Sequence, residues 1–458
     1  MEDLNLYILT ANCARNLIDV DLFADHFFDV LSTSSEQQLD APELIVLSLQ
    51  ELAPIAYSFL GGSYLLPYFD AFTNTVKKAT AKQWNESYVN LVKDHTGMTG
   101  LMVFARADVT DKIAWVDTAH VGFGMQEMGN KGAVGARLGY VVDERPSKTV
   151  DLTFVAAHLA PMENALAQRN LDWQSIVERL VFSHGDAALP KALERQSSTP
   201  DESTALLRDH EATHHTAGSQ TALFASHSYV FLAGDLNYRT SNIGPLKGDA
   251  ARFPQRDAPR TSSAHYCHLL QDDQLRREMQ HGRVFHGLSE APIDFPPTYK
   301  YSSAAQAAAR VALTNPDAAP VEWKWSSHRW PSWCDRILYL DPAAPADGAG
   351  SGKVTIKPRV YDALPLFPHS DHRPVALAVS VPLTPGNASG SHLMTNASVA
   401  APFAIDPSWQ SRRDAARRKE IIVGALAFLG LTWEGNGMLL ASVLGLVGAW
   451  VVLRSMWT

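Results

Sequence analysis

The stretch Tyr229 to Arg239, YVFLAGDLNYR, constrains this chain more than any other. Tyr229, Val230, Phe231 and Leu232 have the length and β-propensity of a buried strand. Ala233 and Gly234 then let the backbone leave the sheet closely packed. Asp235 and Asn237 follow, and in an extended segment alternate residues face the same side. A carboxylate and a carboxamide therefore point together into whatever cleft lies beyond the strand, a pairing suited to activating water near an anion. Alone, GDLN reads equally well as an Asp/Asn turn after a strand. The rest of the chain decides between the two.

Strand-like runs recur at 4–10, 43–49, 133–138, 152–157, 336–340, 353–361 and 374–381. Two more, 101–105 and 113–118, are expected to pair with each other. Helical spacing marks 17–31, 163–182 and 269–279, and a glycine-rich connection covers 122–132. Polar residues collect where strands stop, which predicts an α/β sandwich with a cleft along one edge of its sheets. Residues 183–225 read as an inserted excursion, and the alanine-rich 303–320 as a peripheral insertion. Residues 1–382 are expected to form one folded domain and 383–420 a linker with a basic end. The Asn387-Ala-Ser and Asn396-Ala-Ser sequons in that linker are read as chance matches.

The net charge of −9 argues against a non-specific nucleic-acid binder. Three well-separated cysteines without a CxxC pair suit a reducing compartment. The opening MEDLNLYILT enters a strand-like run at once, which predicts no signal peptide. Nothing in the sequence identifies a protein partner.

The residues at strand ends are Asn12, Glu51, His158, Asp235, Asn237, Asp335, Asp371 and His372. Each alone has a structural explanation: a helix cap, a solvated acid, a core histidine, a turn. Together they suggest chemistry. Asn12 and Glu51 offer oxygen ligands to a hard divalent cation such as Mg²⁺, and two histidines beside acids suit an anionic phosphate.

Six segments carry a family resemblance: NKGAVGARL (130–138), HLAPMENALAQRN (158–170), FLAGDLNYR (231–239), PPTYKY (296–301), RWPSWCDRILY (329–339) and SDHRPV (370–375). In this order they resemble the inositol polyphosphate 5-phosphatases of the endonuclease/exonuclease/phosphatase superfamily. The resemblance implies two packed mixed β-sheets flanked by helices. It places Glu51 and Asn12 at the Mg²⁺, Asp235 at the attacking water, and Asn237 on that water or the phosphate. His372 would stabilise charge on the phosphoryl oxygens with Asp335 orienting its ring, Asp371 would support the metal side, and His158 would touch phosphate. Tyr299, Lys300 and Arg329 would grip the neighbouring 4-phosphate, with Lys131 approaching phosphate as well. The implied substrate is phosphatidylinositol 4,5-bisphosphate. A nuclease of the same superfamily would share the metal and histidine set. A catalytically dead lipid-binding module is disfavoured by the competent side chains at every catalytic position. Ala11, Ala157, Met162 and Ser327 depart from the family pattern and bear on substrate preference.

The tail carries a basic run (Arg412, Arg413, Arg417, Arg418, Lys419), then two apolar runs, 421–433 and 438–453, around a polar EGNG. The second run would cover ~24 Å as a helix. A two-span hairpin and one span preceded by an interfacial helix both fit, and the second is preferred. Residues 421–458 are thus expected to anchor the chain, with the basic side cytosolic. Because some fungal family members carry such a tail, the resemblance implies the endoplasmic-reticulum membrane.

Overall fold

The computed structural model describes residues 3–32, 39–142, 149–183, 220–224, 228–315, 323–340, 355–383 and 401–457. β1 (Asp3–Asn12) shows how the chain builds its layers. Leu4, Leu6 and Ile8 enter one core, while Tyr7, Leu9 and Ala11 enter another on the opposite face. A strand apolar on both faces belongs inside a layered fold. With β2 (Leu44–Gln50), β3 (Tyr88–Thr96), β4 (Thr99–Arg106), β13 (Lys357–Ala363) and β14 (Val375–Pro382) it makes a mixed sheet ordered β13-β14-β1-β2-β4-β3. A second mixed sheet, ordered β11-β12-β10-β7-β6-β5, packs against it. Its strands are β5 (Ile113–Gly122), β6 (Gly132–Val141), β7 (Thr149–His158), β10 (Ser228–Asp235), β11 (Ser289–Glu290) and β12 (Asp335–Leu340). A short pair, β8 (Phe182–Ser183) with β9 (Gln220–Thr221), stands apart.

Helices cover both outer faces, as expected. Phe23 of α1 (Val20–Asp25), Val30 of α2 (Asp29–Ser32) and Phe69, Phe72 and Val76 of α4 (Leu66–Trp84) join the core behind the first sheet, and α3 (Ile55–Leu60) precedes α4. Trp173, Ile176 and Val177 of α5 (Leu166–Arg179) and Leu275 of α7 (Gln274–Gln280) pack behind the second. Among the described residues the remaining α-helices are α6 (Tyr266–Leu269), α8 (Ser303–Thr314), α9 (Trp409–Leu431) and α10 (Trp433–Met456).

The arrangement that matters for chemistry lies at the centre. Each sheet has one parallel pair in its middle, β1 with β2 and β7 with β10. The C-terminal ends of these strands present Asn12, Gln50 followed by Glu51, His158 and Asp235 to one edge of the sandwich. Ser48 Oγ of the first sheet donates to Ala233 O of the second at 2.8 Å and helps fix the edges together.

Several boundaries differ from the sequence reading. Segments 101–105 and 113–118 do not pair: the turn at Ala107–Lys112 carries the chain from the first sheet to the second. Residues 17–31 form two short helices, with Tyr7 Oη donating to the Phe27 carbonyl oxygen at 2.6 Å. Segment 269–279 breaks at Asp273, whose side chain caps α7 by accepting from Arg276 N at 2.9 Å. Most of 183–225 lies outside the described residues, as do Asn387 and Asn396.

The largest correction concerns the tail. The expected linker 383–420 with an anchor starting at 421 does not describe residues 401–431. Helix α9 begins at Trp409 and runs unbroken through the basic run and the first apolar run. Trp409, Ala416, Glu420 and Gly424 form a buried stripe along it, which lies on α3 and the β5–β6 hairpin. A side chain at Gly424 would meet Phe59 Cβ at 2.9 Å. By contrast, α10 is long and apolar enough to cross a membrane, and none of that apolar stretch is buried within the molecule.

Gly234 sets the spacing of the central strands: a Cβ there would lie 1.9 Å from the Ala157 carbonyl oxygen. Gly234→Ala should destabilise the protein by about 1–3 kcal/mol, the usual range for overpacking a core, read as a lowered denaturation midpoint. An unchanged midpoint would contradict this packing.

Candidate active site

Asp235 is the hub. It ends β10, is 2 % exposed, and lies opposite Asp335 in the antiparallel register and opposite His158 in the parallel one. Its Oδ2 accepts from Asn12 Nδ2 at 3.0 Å and lies 3.3 Å from His158 Nε2 and 4.0 Å from His372 Nε2. Its Oδ1 accepts from Asn237 N at 3.1 Å. Burial pushes this carboxyl up, but His158, His372 and Lys131 hold it well below the usual carboxylate range.

His372 comes from the turn before β14, where Ser370 Oγ accepts its backbone N–H at 3.1 Å and donates to Asn12 O at 2.6 Å. Its Nδ1 pairs with Asp335 Oδ2 at 2.9 Å, an oxygen that also accepts from Thr298 Oγ1 at 2.7 Å. Burial disfavours the imidazolium, yet Asp335 and then Asp235 outweigh it and raise the pKa to about 9. His158 goes the other way: burial and the adjacent Lys131 ammonium lower its pKa and favour the neutral ring. The two histidines at this site are thus pushed in opposite directions, His372 toward the imidazolium and His158 toward the neutral ring.

The neighbouring wall is basic and aromatic. Arg239 is buried, donates to the Asn237 side chain and to Asn237 O, and stacks its guanidinium 4.5 Å from the Tyr299 ring centroid. Tyr299 in turn lies 4.5 Å from the His372 ring. Lys300 pairs with Asp371, and its pKa rises because that contact outweighs burial. Asp371 is therefore turned onto the lysine of the expected 4-phosphate grip. Arg329 reaches Met162 Sδ at 3.2 Å and Glu163 at 3.9 Å, and its charge is felt at Lys300.

Glu51 stands at the more open side, half-buried and 3.2 Å from Arg15 Nε. Glu51 and Asn237 both adopt left-handed backbone, with φ of 46° and 56°. Such positions cost of order 1–3 kcal/mol and concentrate at functional sites. Two groupings could hold a cation. Asp235, Asp335 and His372 have ligand atoms within 4.8 Å of one another. That cluster is buried, and His372 Nδ1 is already committed to Asp335. The second joins the half-buried Glu51 carboxylate to the neighbouring, buried Asn12, whose Oδ1 also accepts from Ala14 N at 3.0 Å, an all-oxygen set of the kind a hard cation prefers.

All twelve expected residues therefore lie at this end of the sandwich, in three neighbouring groups: Asn12–Glu51, Asp235–Asn237–His158–Lys131–Asp335–His372, and Tyr299–Lys300–Arg329–Asp371. Sequence reasoning did not single out Arg239, Thr298 or Ser370. All three sit inside segments that it quoted, yet their roles arise from pairings across 37 residues or more for Thr298 and Ser370. Arg239 reads as surface charge until its burial is seen.

Residues 9–378 match the model of the Endonuclease/Exonuclease/phosphatase family 2, and the chain belongs to that family. Within it, the curated relatives are inositol polyphosphate 5-phosphatases. The type II inositol polyphosphate 5-phosphatase 14 of Arabidopsis thaliana is 31% identical over 284 residues, covering 61% of this chain and 22% of the relative. The polyphosphatidylinositol phosphatase INP53 of Saccharomyces cerevisiae is 26% identical over 345 residues, covering 75% and 24%. The matched part thus spans about a quarter of these relatives. A crystal structure of the inositol polyphosphate 5-phosphatase domain of SPsynaptojanin, in complex with inositol (1,4)-bisphosphate and calcium ion, has the same fold. The TM-score is 0.55 at 20% identity, covering 92% of this chain and 90% of that one.

The raised His372 pKa has a definite sign. The histidine's folded pKa of about 9 exceeds its free value of 6.5, so its stabilising contribution is complete below the free value and is lost as pH rises through about 9. An NMR titration should show His372 protonated at neutral pH, and Asp335→Asn should bring its midpoint down by at least one unit. A His372 midpoint near 6.5 in the unmodified protein would contradict the ion pair.

Proposed function

We propose that this chain is a Mg²⁺-dependent phosphatase that removes the 5-phosphate of phosphatidylinositol 4,5-bisphosphate, leaving phosphatidylinositol 4-phosphate. The observation that carries this reading is the buried Asp235 carboxylate flanked by His372, Lys131 and Arg239, three cations gathered at one pocket of a protein of net charge −9. Such a site suits in-line attack of water on an anionic phosphoryl group, where positioning and charge neutralisation do most of the catalysis.

Asp235 orients the attacking water. A carboxylate held so firmly ionised is a weak base, which favours orientation over early proton removal. Asn237, fixed by Arg239, holds the water or a phosphoryl oxygen. His372, kept cationic by Asp335, neutralises charge on the phosphoryl oxygens, and neutral His158 with Lys131 contacts the same group. Lys300, Arg329 and Tyr299 bind the 4-phosphate, a role supported by the Lys300 ammonium lying over the Tyr299 ring and by the Arg329 charge acting on Lys300. Asp371 holds Lys300 in place until that anion arrives. Glu51 and Asn12 would hold the Mg²⁺. When bound, the ion would polarise a phosphoryl oxygen and stabilise the leaving alkoxide. The solved relative's ligands, an inositol bisphosphate and calcium ion, are compatible with these assignments.

The membrane reading rests on α10. Its 24 residues extend ~36 Å at ~1.5 Å per residue, with the strongly exposed Trp433 and Trp457 at its two ends, as in an aromatic belt. On the neighbouring α9, Ile422, Leu426 and Leu431 are also exposed and suit the bilayer interface. We assign the span to α10 alone, anchoring the catalytic domain on the cytosolic face of the endoplasmic reticulum.

Asp235→Asn should lower turnover by at least ~10²-fold, as expected when a group that orients the nucleophile is lost, with an unchanged circular-dichroism spectrum. Activity near the unmodified level would remove Asp235 from its assigned role. Deleting 433–458 should release the protein from membranes under alkaline carbonate extraction while sparing hydrolysis of a water-soluble substrate. Continued membrane retention would contradict the single-span anchor.

A further inference from the structure

The β5–β6 hairpin reaches from the active site to α9. At one end Lys131 meets His158, and at the other Gln126 and Glu127 sit in consecutive left-handed conformations, with φ of 53° and 68°. Neither is glycine, so the turn is strained and depends on its surroundings to hold it. Helix α9 secures this turn. Arg412 Nε donates to Glu127 Oε1 at 3.1 Å, and Lys419 Nζ donates to Gln126 O at 3.3 Å.

Glu420 goes deeper. It is 5 % exposed, and its Oε1 accepts the backbone N–H of Gly129 at 2.6 Å. Gly129 O accepts from Met98 N at 2.9 Å, and Met98 O accepts from Leu52 N at 3.2 Å. Leu52 directly follows Glu51. Side chains are excluded from the tightest step: a Cβ on Gly97 would meet Gly129 O at 2.3 Å. The other Glu420 oxygen faces Arg417 at 3.2 Å, whose guanidinium donates to Phe59 O at 2.7 Å and Leu60 O at 3.2 Å at the end of α3. A buried carboxylate that caps a loop amide and is itself paired is a fixed point, because leaving either partner unsatisfied is costly.

We propose that Glu420 is a positioning residue for the active site and that α9 belongs to the catalytic unit. Through Gly129 it sets the loop carrying Lys131, and through Met98 and Leu52 it sets the turn carrying Glu51. The membrane-proximal end of the chain is thereby joined to both the expected phosphate contact and the expected metal carboxylate. The catalytic part of this inference rests on the phosphatase reading, while its structural part does not.

The test uses the full-length chain in detergent micelles, with inositol 1,4,5-trisphosphate as a soluble substrate and hydrogen exchange followed by mass spectrometry. Glu420→Ala should lower kcat by roughly tenfold to a hundredfold, as misplacement of catalytic groups does, and raise the Mg²⁺ concentration needed for half-maximal activity. Exchange should accelerate in 125–131 and 97–98 while 166–179 and 228–235 stay protected. Glu420→Gln keeps an acceptor for Gly129 N–H and should restore most of the activity. Unchanged kcat and exchange in Glu420→Ala would overturn the proposal. So would equal damage from both substitutions with protection lost throughout the chain. If Glu420→Ala does not fold, the unmodified protein still decides: 127–131 must exchange as slowly as the buried face of α9, and fast exchange there overturns the inference. An unmodified protein without phosphatase activity would sink the functional reading alone, leaving the exchange result to judge the coupling.

Discussion

One buried negative charge organises this molecule. Asp235 lies at the end of the central strand of one sheet, and Asn12, from the central strand of the other, donates to it at 3.0 Å. A carboxylate this deeply buried is tolerated only when paired and hydrogen-bonded. His158, His372, Lys131 and the Asn237 backbone amide meet that demand, and each is delivered by a different element. The chemistry and the closure of the sandwich edge are therefore the same set of contacts.

The surrounding charges are graded by environment. Asp335 raises one histidine, while burial and Lys131 lower the other, so two like residues present a cation and a neutral ring within one pocket. The same logic holds Lys300 on Asp371 and Arg329 near Met162 and Glu163. Lys300 is paired with a partly exposed Asp371 and Arg329 makes only a 3.9 Å contact with Glu163, so an anionic substrate can compete for both cations.

Much of this was legible in the sequence, for physical reasons. Strand termini such as GDLN and PSWCDR announce themselves because a hydrophobic run stops at the first, and starts at the second, beside residues that cannot be buried alone. The helix α4 was also readable, with Phe69, Phe72, Val76 and Ala79 at helical spacing, but it was not singled out. What sequence could not show was which strands would be neighbours: 101–105 and 113–118 are adjacent in the chain and lie in different sheets. The tail misled for a similar reason. Arg412, Arg417 and Lys419 read as a basic patch beside a membrane, whereas they spend their donors on Glu127, Phe59 O and Gln126 O. The spacing of Ala416, Glu420 and Gly424, one every four residues, was the visible sign that this helix has a buried face.

The central claim is that the pocket holds the 4-phosphate and cuts the 5-phosphate. Its most direct test is the regiochemistry of the product formed from phosphatidylinositol 4,5-bisphosphate in the presence of Mg²⁺. The account predicts phosphatidylinositol 4-phosphate as the accumulating product, with the phosphodiester to the lipid intact. Accumulation of phosphatidylinositol 5-phosphate, release of an inositol phosphate headgroup, or no turnover would contradict it.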